Sequence, residues 1–118
     1  IHYLRAMTQA TCIVLCTVPD LATGEALGQH LVAAGLAACV NLVPGLTSIY
    51  KWQGKIQRDA EVLLVIKTRR DRFAALSAAI RERHPYELPE IIAVPIHAGL
   101  PEYLAWVAAE TNHNEEQH

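Results

Sequence analysis

No stretch of this sequence runs apolar for the roughly 18 residues that a membrane-spanning helix needs, so a chain held in a bilayer by helices is not expected. Positive charge is not in excess either. Ten Lys and Arg stand against twelve Asp and Glu, a net charge of −2, which leaves no basic footprint for nucleic acid. Cysteine is scarce, and Cys12, Cys16 and Cys39 form no CxxC pair. An odd count without framework spacing argues against a disulfide scaffold and fits free thiols in a reducing compartment, so a cytoplasmic location is expected. GxSxG, HExxH, the Walker loop and GxGxxG are all missing, and no enzymatic activity is expected. The opening IHYLRAM lacks the apolar core of about 7 residues that a secretory signal carries, so residues 1–10 read as an extension, with Met7 a candidate start.

What is present is a core. Hydrophobic residues fill 52% of the 118 positions, enough for one domain. TCIVLCTV (11–18), almost continuously apolar and rich in β-branched residues, predicts a strand. Asp20 is placed to cap a helix in which Leu27, Leu31 and Ala34 recur at helical spacing, closed by Gly35. LAACVNLV (36–43) and LTSIYKW (46–52) predict one long strand bent at Pro44-Gly45, and Gln53-Gly54 offers a two-residue hairpin turn. The returning strand covers KIQRDAEVLLVIKT (55–68). Asp71 is a candidate cap for a second helix, with Phe73, Leu76 and Ile80 on one face, which Pro85 should end near Arg83. IIAVPI (91–96) predicts a fourth strand whose proline suits an edge or a bulge, and Pro101 opens a third helix to about Glu110. The domain is thus 11–112, with 113–118 a polar tail. The order β-α-β-β-α-β predicts an α+β, ferredoxin-like sandwich with an additional C-terminal helix.

Two helices on one face leave the other face of such a sheet open, and an open face should alternate apolar with polar residues. CIVLCTV, VLLVI and IIAVPI do not alternate. A further layer is required, and with no element of the chain left to supply it, a second copy of the same sheet is the simplest one. The competing expectation, a monomer with an apolar patch, is rare among soluble proteins.

Several polar residues border this apolar surface. Parity along 55–68 sets Glu61, Leu63, Val65 and Lys67 on one face. At about 3.3 Å per residue Glu61 and Lys67 lie roughly 20 Å apart, too far to pair, so each needs another partner or an opening to water. Ser48, Tyr50 and Trp52 share a face of the bent strand, and Tyr103 and Trp106 fall three apart on the last helix, where packing is the commoner role. HPYELPE (84–90) holds His84, Tyr86, Glu87 and Glu90 about two prolines that restrict the backbone. Either a preorganised polar rim or a rigid corner whose tips merely cap and pair accounts for these residues. For a metal, Cys16 with His84 is the pair to weigh, since thiolate and imidazole suit copper or zinc and Cu(I) above all, although a cysteine in an apolar strand is more often core.

Four segments, LAACVNLVPGLTSIYKWQGKI (36–56), EVLLVIKT (61–68), HPYELPEI (84–91) and GLPEYLAW (99–106), resemble in this order and spacing the CutA family of divalent-cation tolerance proteins. The resemblance spans about residues 11 to 112. It implies a ferredoxin-like subunit assembled as a homotrimer with sheets facing inward, and a role in tolerance of copper and other divalent metals. Carried over by position, the copper ligands implied are Cys16 and His84, with Arg83 standing where some relatives have a second histidine. The implied polar cleft between subunits takes Cys39, Trp52, Glu61, Lys67, His84, Tyr86, Glu90, Tyr103 and Trp106. The partners implied are a metal ion and further copies of the chain, with neither nucleic acid nor membrane. One alternative is a signalling or scaffold trimer whose clefts bind a small anion through Lys67, Arg83 and backbone groups. Another is acid–base chemistry at Glu61, Lys67, His84 and Tyr86.

Overall fold

The computed structural model describes residues 10–112, so the polar tail and all but the last residue of the expected extension lie outside the described residues. The first strand, β1 (Thr11–Val18), leads into helix α1 (Leu21–Ala33), which Asp20 caps by accepting the Thr23 N–H at 2.8 Å. The following strand, β2 (Cys39–Trp52), starts three residues later than the apolar run suggested. Leu36 and Ala37 still donate back to the Leu31 carbonyl at the helix end, and only Ala38 turns to the sheet, bonding the Lys67 carbonyl. A two-residue turn with positive φ at Gln53 and Gly54 returns the chain into β3 (Lys55–Arg69), as a hairpin of this length requires.

A 3-10 turn over Arg70–Arg72 precedes α2 (Phe73–Arg83). Here the expected cap is corrected. Asp71 lies inside the 3-10 turn and takes both ends of the Arg69 guanidinium, at 2.9 and 2.8 Å, while Arg72 stands at the N-cap position of α2. A bidentate carboxylate–guanidinium pair is the stronger claim on a carboxylate than one backbone amide. The edge strand β4 (Ile92–Pro95) and helix α3 (Pro101–Glu110) complete the order, with Pro101 in the first helical turn as expected.

The sheet runs β2-β3-β1-β4 and is antiparallel throughout. One face carries Cys12, Val14, Cys16 and Val18 of β1 with Val62, Leu64 and Ile66 of β3, packed against Leu27, Leu31, Leu76 and Ile80 of α1 and α2. This is the main core. Register puts Ile13, Leu15, Leu63, Val65, Ile92 and Val94 together on the second face. Its apolar residues are only half-buried or exposed; Ile92 and Val94 are 51% and 47% exposed.

The expectation that nothing in the chain covers this face needs a correction. Helix α3 contacts β3 and β1, its buried Leu104, Val107 and Ala108 stand apart from the main core cluster, and Tyr103 reaches Cys39. Cys39 and Thr11 belong to the second face by register, and Thr11 is wholly buried. α3 therefore covers one end of the face, near Thr11, Cys39 and Lys67. The middle, and the edge at β4, stay open.

Two glycines of α1 test how closely this helix sits on the sheet. A methyl group at Gly24 would stand 3.1 Å from Leu42, 3.2 Å from Leu64 and 3.3 Å from Val18, whereas one at Gly28 would reach nothing nearer than Val40 at 3.4 Å. Gly28→Ala is expected to stabilise by about 0.5–1 kcal/mol through helix propensity. Gly24→Ala is expected to destabilise by about 1 kcal/mol net, overpacking outweighing that same gain. Urea unfolding at a fixed chain concentration reads both, and a gain at Gly24 would show the contact to be loose.

Candidate functional site

The site begins with a bulge. Val43 lies opposite Leu63, but Leu46 lies opposite Glu61, so β2 spends three steps where β3 spends two. The extra residue falls at Pro44-Gly45, where Gly45 has φ +81°, a conformation that glycine adopts at little cost. Because side chains alternate along a strand, one extra residue exchanges the faces of everything beyond it. Ser48, Tyr50 and Trp52 thereby join Glu61 on the second face. Asp59, opposite Ser48, shares it, and Tyr50 Oη donates to the Asp59 carboxylate diagonally across the ribbon.

The HPYELPE turn closes the other wall. His84 follows α2 with extended backbone, as Pro85 dictates, and its ring is buried. Nε2 lies 2.7 Å from the Thr17 carbonyl and must donate there, while Nδ1 accepts the Tyr86 N–H at 3.1 Å. The two bonds together fix a neutral ring with its proton on Nε2. The ring also lies against that of Tyr86, centroids 4.8 Å apart. So held, Tyr86 donates its hydroxyl to Glu61 Oε2 at 2.8 Å. Burial first, and then this hydrogen bond, hold the Tyr86 phenol above its ordinary range.

Between the hairpin and this turn lies a cavity of about 650 Å³, with Thr17 and Glu61 between walls that carry Tyr50, Trp52, Tyr86 and Glu90. Asp59 and Glu87 add two more carboxylates, and among the described residues no Lys, Arg or His lines it. The expected anion site is therefore not formed within one chain. Lys67 is at the far end of β3, bonded to the Asn41 side chain, and Arg83 is exposed at the end of α2.

The nine residues expected in one cleft separate into two groups on one chain. Trp52, Glu61, His84, Tyr86 and Glu90 surround or support the cavity. Cys39, Lys67, Tyr103 and Trp106 gather at the opposite end of the sheet, where Cys39 and Lys67 are cross-strand partners and the rings of Tyr103 and Trp106 lie 5.6 Å apart. The six residue steps along β3 from Glu61 to Lys67 keep the groups roughly 20 Å apart. Asp59 is the cavity residue that sequence parity could have supplied, being two positions before Glu61 on the same strand.

A fold of this order, with a bulged hairpin and a proline-fixed turn framing an acidic cavity, can be compared with known proteins. The family model for the CutA1 divalent ion tolerance protein matches residues 12–110. The chain belongs to the CutA1 family. The divalent-cation tolerance protein CutA of Thermus thermophilus is 48% identical over 99 residues, covering 84% of this chain and 96% of its own length. The chloroplastic protein CutA 1 of Oryza sativa subsp. japonica is 44% identical over 104 residues, which are 88% of this chain but 59% of the rice protein. The solved structure of the T. thermophilus Cut A1 protein has a TM-score of 0.85 at 46% identity, covering 86% of this chain and 99% of that one. CutA1 is a family of divalent-cation tolerance proteins and not a known enzyme family.

Membership in CutA1 puts the fit of a copper ion to Cys16 and His84 to the test. Both side chains approach the Thr17 carbonyl, Cys16 Sγ at 3.8 Å and His84 Nε2 at 2.7 Å. Their chemistry is unsuited to a metal. Cys16 is fully buried, and its thiol is pushed up to about 12, by burial above all and then by Glu90 and Glu61. Both nitrogens of His84 are already committed. Among the described residues no three His, Cys, Asp or Glu side chains stand close enough to hold one ion. As arranged in one chain, the pair does not fit a resident copper ion.

Proposed function

We propose that this chain serves metal-ion tolerance as a homotrimer, without enzymatic chemistry, holding copper or a related heavy-metal ion as cargo at a boundary between copies. The observation that carries this reading is the division of the expected cleft into two halves at opposite ends of one largely open sheet face. Packing such faces against one another brings the acidic half of one copy toward the Cys39 half of another, which no arrangement within one chain achieves. Cys39 is the only one of the three cysteines that is not buried, and it is the thiol on which copper binding depends. Three free thiols also fit a reducing compartment, and we place the protein in the cytoplasm.

The test is a Cu(I) titration of the reduced protein against a chromogenic chelator, beside Cys16→Ser and Cys39→Ser. The expected result is saturable competition that Cys16→Ser leaves within about twofold and Cys39→Ser reduces by at least about tenfold. Loss of binding in Cys16→Ser would return the ligand role to Cys16 and His84. A parent protein that never competes with the chelator would remove copper as cargo.

A further inference from the structure

We draw no further inference here: the strongest candidate, the apolar groove between helix α1 and the open edge of β2 lined by Gly28, Val32, Val40 and Leu42, carries nothing, because nothing in the structure shows what covers it.

Discussion

His84→Ala is expected to lower the stability of the metal-free protein by about 3 kcal/mol, and to do so whether or not copper ever binds. The ring is buried, donates to Thr17 and accepts from Tyr86. Truncation deletes both bonds, leaves a carbonyl and an amide short of partners, and opens a void beside Tyr86. Each lost bond is worth about 1 kcal/mol net, and the void adds a comparable amount. Tyr86 loses its anchor at the same time, so its hydroxyl should no longer hold Glu61 in place. Urea unfolding of parent and variant at one chain concentration is the measurement, because assembly adds to apparent stability. A histidine kept as a spare metal ligand would predict otherwise. The metal-free variant would then unfold within about 0.5 kcal/mol of the parent, as surface substitutions do.

Much of the architecture was legible in the chain because each segment carried a local signal of the right kind. Asp20 and Gly35 bracketed α1, Pro85 ended α2, Pro101 opened α3, and Gln53-Gly54 marked the hairpin. Where the reading slipped, a second interaction competed for the same group, as when Arg69 took the Asp71 carboxylate that a helix might have used. The position of α3 was not readable, since periodicity identifies an apolar stripe without saying which face of the sheet it meets. The candidate site was legible residue by residue but not as a constellation. Glu61 and Lys67 were rightly separated by strand length, whereas Cys16 and His84 both approach the Thr17 carbonyl, an arrangement that depends on how α2 returns to the end of β1. That a thiol and an imidazole approach one carbonyl there says little about metal binding once the protons are counted. Both groups are satisfied in their neutral forms.

If the chain forms the proposed trimer, Leu15→Asp is expected to convert it to single chains while leaving each chain folded. Leu15 lies on the second face of β1, opposite Val65 of β3 and Ile92 of β4, in the part that α3 leaves open. In an isolated chain an aspartate there can remain in contact with water and costs little. Between two packed sheets it becomes an unpaired charge in a dry contact, a cost of several kcal/mol per copy. It also removes the roughly 2 kcal/mol that burial of a leucine side chain contributes. A closed trimer repeats the penalty in every copy, so the loss exceeds what a marginal interface can absorb. Sedimentation equilibrium should show the mass falling from three chains to one, with the far-ultraviolet circular dichroism of the folded sheet retained. Val32→Asp, at an exposed apolar position of α1 on the opposite side of the sheet, should keep the parent mass. Were Leu15→Asp to retain that mass as well, the open face could not be the contact between copies. In a parent protein of three chains, the edge of β2 or the projecting hairpin with its exposed Ile49 and Ile56 would then join the copies instead.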